Sequence, residues 1–189
     1  MAGSSFLDTS PESVGIVDYG ESDEPLSPRR HDLNEYNAIE RRVRQARGFI
    51  TAQINEAARE RAHDSHRMLT NLVAEKVRNA GAIPKRNPYI DLSAVVNNDL
   101  FLFEMKSSTA ANAHVQIRRA ISQLYEYRYI QQVPDARLVI VIENPLPRNL
   151  GWLLDFVVTD RNLGIVWDGD GRNLHCSEGQ RAQLSFLTR

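Results

Sequence analysis

The chain has 189 residues and a formal net charge of -1, enough for one domain with its own core and a tail. Hydrophobic residues at 42% and charged residues at 25% exclude a wholly disordered chain, a collagen and a coiled-coil rod. A lone cysteine, Cys176, excludes an intrachain disulfide and a Cys-based zinc cage, and no apolar run approaches the roughly 20 residues that span a bilayer.

Residues 1–31 carry Pro11, Pro25 and Pro28 with several Ser and Gly and few large apolar residues, which predicts an acidic, mostly disordered tail. The opening MAGSSFLDTSPESVG has neither the basic segment nor the apolar run of a signal peptide, so the expected location is cytoplasmic. Leu33 to about Arg61 has no Pro and is rich in Ala, Arg, Glu and Gln, a long helix by propensity. Ile39, Val43, Ala46, Ile50, Ile54 and Ala57 make a narrow apolar stripe that packs on the domain, a partner protein or a second copy. The expected division is thus 1–31 tail, 32–62 helix and 63–189 compact domain.

Asp64 or Ser65 can cap a second helix running to Asn79, with Gly81 as its stop. Met68, Leu69, Leu72, Val73 and Val77 are its expected buried face. YIDLSAVV and LFLFEMKS are β-rich runs separated by Asn97, Asn98 and Asp99, a hairpin. Asn112 to Gln131 reads as helix, and Ala136 to Asn144 as a central buried strand ended by Pro145 and Pro147. Leu150–Val158 is then helix, Leu163–Trp167 strand, Arg172–Cys176 an edge strand after the DGDG turn, and Gln180–Leu187 a closing helix. The order predicts an α/β fold with a mixed sheet. Trp152 and Trp167 are expected in its core.

Charge is uneven: residues 1–32 carry -5, residues 33–131 carry +5 and residues 132–189 carry -1. An acidic tail beside a basic middle suits a polyanionic partner or an ordinary solvated helix surface.

If Asn97 and Asn98 are a two-residue turn, Val96 faces Asp99 and Asp91 faces Glu104. Alternation then collects Asp91, Ser93, Leu102, Glu104 and Lys106 on one face. Ile90, Leu92, Ala94, Val96, Phe101, Phe103 and Met105 fall on the other, a wholly apolar set. Two carboxylates side by side repel unless a cation lies between them, and Mg²⁺ is held by one or two carboxylates with waters. A neighbouring lysine can orient a water or stabilise charge on a phosphoryl oxygen. The same residues can also form a plain cross-strand ion pair. With Gln116 at 0° on the following helix, Gln123 falls at about 340° and Tyr127 at about 20°, a polar line beside the apolar stripe of Ile117, Ile121, Leu124 and Tyr125. Arg119 flanks it.

Asp91, then Glu104-Met105-Lys106, then Gln123-Leu124-Tyr125-Glu126-Tyr127 resembles the PD-(D/E)XK nuclease superfamily, in particular its RecB-like and defence-nuclease branches with a Q-x-x-x-Y helix. The resemblance covers about Ser65 to Asn144 and lacks the family's proline before the first acid, where Ile90 stands. It implies a restriction-endonuclease-like fold: a mixed sheet flanked by helices with the active site at one edge. It also implies Mg²⁺ or Mn²⁺ on Asp91 and Glu104, Lys106 acting on water or charge, and Gln123 and Tyr127 positioning metal or DNA. Glu75 is the candidate for the further acid that such proteins carry on the preceding helix. A histidine precedes the first acid in some members, which makes His66 a minor candidate. Gln116, Arg118, Arg119, Lys85 and Arg86 are the candidate nucleic-acid contacts.

The implied function is a metal-dependent nuclease acting on DNA, with RNA left open, and a defence role follows from the resemblance alone. The competing reading is a nuclease-like fold that binds nucleic acid or protein without catalysis. Asp168-Gly169-Asp170-Gly171 lacks the spaced glutamate of a calcium loop and reads as a turn.

Overall fold

A computed structural model describes residues 32–36 and 50–188. The tail lies outside the described residues. So does 37–49, which holds part of the stretch expected as a helix.

Among the described residues seven strands form one sheet in the order β1 to β7: β1 Asn34–Glu35, β2 Lys85–Arg86, β3 Leu92–Val96, β4 Asp99–Lys106, β5 Arg137–Ile142, β6 Gly164–Asp168 and β7 Leu174–Cys176. Strands β1 to β4 pair antiparallel, β4, β5 and β6 run parallel, and β7 returns antiparallel. Helix α1 (Ile50–Asn79) covers one face; α2 (Ala113–Ile130) and α3 (Gly151–Asp155) cover the other. A π-helical turn, Phe156–Asp160, follows α3, and a short α4 (Ser185–Thr188) packs beside α1 and β7. The fold is α/β, a mixed sheet flanked by helices. Among the described residues no helix is long and apolar enough to cross a membrane.

The hairpin arithmetic holds: Val96 pairs with Asp99 and Leu92 with Phe103. Asn97 and Asn98 both have positive φ, 51° and 68°, the left-handed pair that a tight two-residue hairpin requires and that Asn tolerates. Asn98→Gly should therefore stabilise by a few tenths of a kcal/mol, whereas Asn98→Val should cost about 1 kcal/mol. Urea midpoints of the two variants check this.

Two cores fill the layers. Leu69, Leu72, Val73 and Val77 of α1 pack on Leu92, Ala94, Val96, Phe101, Phe103 and Met105. Ile117, Ala120 and Leu124 of α2 pack on Leu102, Ile140, Ile142 and Ile165. The hairpin face that carries Glu104 is thus also covered, by α2. Ile90 belongs to the α2 side rather than to the apolar hairpin face, because the chain bends at Asp91 before β3 begins.

Five further expectations are corrected. Leu33–Tyr36 is extended, not helical, because its backbone pairs with the segment before β3, with Tyr36 N–H donating to the Pro84 carbonyl at 2.8 Å. The expected second helix does not start at Asp64: α1 runs unbroken through the 62/63 boundary, since Asp64 pairs with Arg67 instead of capping. Met68 is 54% exposed, one position off the stripe that faces the sheet, and Trp152 is 56% exposed. The closing segment is a 3₁₀ turn (Glu178–Gln180) followed by α4, not one helix. Gly81 does end α1, at φ 79°, with Ala82 N–H returning to the Val77 carbonyl. The DGDG segment is a turn in which Asp168 Oδ1 accepts from the Asp170 and Gly171 amides.

Candidate active site

The site lies where β3 begins and β4 ends, at the strand ends in the middle of the sheet rather than at an outer strand. Alternation along β4 turns Glu104 and Lys106 toward α2, and Asp91, just before the Leu92–Phe103 pair, lies against the Glu104–Met105 backbone. Asp91 Oδ2 accepts the Met105 amide at 2.9 Å and meets His66 Nε2 at 3.0 Å. Both partners use Oδ2, which leaves Oδ1 for a further ligand. Glu104 is 2% exposed. Its Oε1 pairs with Lys106 Nζ, and its Oε2 is buried with no hydrogen-bond partner. A buried oxygen without a partner is costly unless something fills the place beside it.

The electrostatics follow from this crowding. Burial, with the Asp91 charge added, pushes the Glu104 carboxyl up to about 7, even though Lys106 pulls it down. Asp91 goes the other way. Burial works to raise it, but the His66 hydrogen bond and charge and the Met105 amide win, so it stays below the usual carboxylate range. His66 is lowered by burial and raised more strongly by Asp91, with a net rise. One carboxyl is thus held ionised and its neighbour is poised near neutrality.

Helix α2 brings the Gln/Tyr line over these strand ends. Gln123 Nε2 donates to the Tyr127 hydroxyl at 3.0 Å, and Tyr127 is 8% exposed. Burial and the charges of Glu104 and Asp91 hold the phenol well above its ordinary value, so it keeps its proton and remains a donor. Tyr127→Phe should cut any turnover at this site about tenfold or more while moving the thermal midpoint little, since only a hydroxyl is lost. Matched rate and melting measurements on that variant decide it.

The structure therefore gathers Asp91, Glu104, Lys106, Gln123 and Tyr127. Glu75 is not among them: it is exposed and nine residues beyond His66 on α1, about 13 Å along the axis and on the opposite side of the helix. Arg118 and Arg119 are exposed on α2, Gln116 is half-buried, and Lys85 and Arg86 lie on β2, the strand paired with β3, with Lys85 opposite Ser93. His66 is the residue whose place was undervalued; its signal was a histidine one turn before the buried Leu69–Val73 stripe, where α1 reaches the start of β3. Glu143 was missed. It follows β5 directly, accepts Ser107 Oγ at 2.8 Å and pairs with Arg61 at 2.8 Å, tying α1 to the ends of β4 and β5. The parallel register Lys106 to Ile142 places it there.

Among the described residues no group of three or more His, Cys, Asp and Glu side chains forms a ready-made cation cage. A hard divalent ion needs less, since Mg²⁺ takes one or two carboxylates and completes its shell with water. Asp91 and Glu104 fit that requirement through the buried, unpartnered Oε2. A cleft of about 300 Å³ lined by Asp99, Arg128, Asp135 and Arg137 lies at the turn end of the hairpin, away from these groups. No protein-family description, curated protein or solved structure matches the chain.

Proposed function

We propose that the protein is a divalent-metal-dependent nuclease of PD-(D/E)XK type, with a restriction-endonuclease-like fold, hydrolysing phosphodiester bonds in DNA. The observation that carries this reading is the Asp91–Glu104 pair with its orphaned Oε2 and Lys106 alongside. The order of the residues along the chain and the Gln123–Tyr127 hydrogen bond beside them support it. Glu104 and Asp91 would hold Mg²⁺ or Mn²⁺, and such an ion supplies a more acidic water and screens charge on the phosphate.

The chain's own residues do the rest. His66 and the Met105 amide fix Asp91 in one orientation, so its free oxygen is presented rather than searching. Lys106 Nζ, held against Glu104, directs its remaining protons to an attacking water or a phosphoryl oxygen. Tyr127, its hydroxyl oriented by Gln123, donates toward the same charge.

The test is incubation with plasmid, linear duplex, single-stranded DNA and RNA in Mg²⁺, Mn²⁺ or EDTA. DNA cleavage in metal, absent in EDTA and absent in Lys106→Ala, is the expected result. Nucleic-acid binding with no cleavage of any substrate would replace the nuclease by a binding module.

A further inference from the structure

The parallel strands β4 and β5 send their following loops to the same end of the strands as Lys106, the end where ligands of such sheets bind. Those loops lead into α2 and α3, and there His114 and Trp152 meet edge to face, ring centroids 5.6 Å apart. Trp152 is nevertheless 56% exposed, and Val115, next to His114 in the chain, is 49% exposed. Arg118, one turn along α2 from His114, and Arg148, in the 3₁₀ turn before α3, are both exposed; Asp155 is the one exposed acid in α3. By helix geometry His114 lies on the side of α2 opposite the Gln123–Tyr127 line and about 13 Å before Gln123 along the axis, so a platform there serves a base several nucleotides from the site.

We infer that Trp152, braced by His114, is a stacking platform for an unpaired base of the nucleic acid whose backbone enters the Asp91–Glu104 site. The inference rests on the nuclease reading for its ligand and adds the substrate class: single-stranded DNA, or a duplex with a frayed end. An anchored indole with its surface in water stacks any base, and arginines beside it meet the flanking phosphates. The area suits a base rather than a protein. One Trp with one Val offers far less than the ~800 Å² per partner of a stable protein interface. A base paired within a duplex has no free face to give, so the platform distinguishes strandedness.

The experiment is a titration of the full chain with oligo-dT and with a blunt hairpin duplex, in EDTA so that nothing is cleaved. The chain has two tryptophans, and the other, Trp167, is partly buried, so quenching of intrinsic fluorescence reports Trp152. Oligo-dT should quench the wild type, and Trp152→Ala, followed with the wild type by the anisotropy of a dye-labelled oligo-dT because the variant lacks the reporting indole, should bind oligo-dT about tenfold or more weakly. Trp152→Phe should retain most of the affinity, and duplex binding should not change. Unchanged oligo-dT affinity in Trp152→Ala, or equal losses on single strand and duplex, overturns the platform. So does a Trp152-dependent self-association seen by sedimentation without an effect on DNA, which would make a second copy the occupant. Cleavage in Mg²⁺ is scored separately: a platform without cleavage sinks the nuclease reading alone, and cleavage indifferent to Trp152 sinks the platform alone.

Discussion

Glu104→Gln should abolish cleavage and, at pH 8 without metal, make the protein more stable. The Glu104 carboxyl is raised to about 7 by burial and by Asp91, above its unfolded value near 4.5. The unfolded chain therefore releases this proton first, and stability falls as pH rises from about 4.5 through about 7. The loss is nearly complete at pH 8, about 3 kcal/mol, or roughly 10 °C in a domain of this size. Glutamine keeps an oxygen for Lys106 and has no charge to bury, so the gain should appear at pH 8 and vanish at pH 5. His66 acts in the same direction: its raised value contributes stability below about 6.5 that is lost as pH climbs through the folded value. A smaller slope attributable to His66 should remain in Glu104→Gln and disappear in the double variant with His66→Gln. Melting curves in EDTA from pH 5 to pH 8 read both.

Asp91→Asn should give the opposite sign. Cleavage is again lost, but the protein becomes less stable at pH 7 by about 1–2 kcal/mol, because a charge-assisted contact to His66 goes. Asp91→Ala costs more, since the Met105 amide then has no acceptor. Asp91 lies below its ordinary value of 3.8 in the fold, so its contribution is present at neutrality and fades only as pH falls through that folded value. Viewed from the sequence alone, either carboxylate is half of a repelling pair, and its removal should relieve strain. The His66 and Met105 contacts overturn that for Asp91; only Glu104 bears the cost. Asp91→Asn should also bring the Glu104 carboxyl down, since the Asp91 charge is one of the forces raising it.

The hairpin was legible because a two-residue turn leaves one register, and that register alone keeps Phe101, Phe103 and Met105 together on the α1 side. The strand β5 was legible because a buried parallel strand reads as an unbroken apolar run. The Gln123–Tyr127 contact followed from helical spacing. What escaped were groups whose position depends on tertiary docking. His66 reaches Asp91 because α1 continues where a cap was expected. Glu143 reaches Ser107 because β5 lies parallel to β4, which no local pattern states. The pairing of β1 with β2 escaped because two-residue strands carry no periodicity. Trp152 was assigned to the core on residue type alone, a rule that large amphipathic rings often break.

The central claim is that Asp91 and Glu104 share one divalent ion. Calorimetric titration of Mn²⁺ into the wild type at pH 8 tests it directly, beside Glu104→Gln and Glu75→Gln. One site is expected in the wild type, lost in Glu104→Gln and retained in Glu75→Gln. No Mn²⁺ binding by the wild type, or binding that survives in Glu104→Gln, would contradict it.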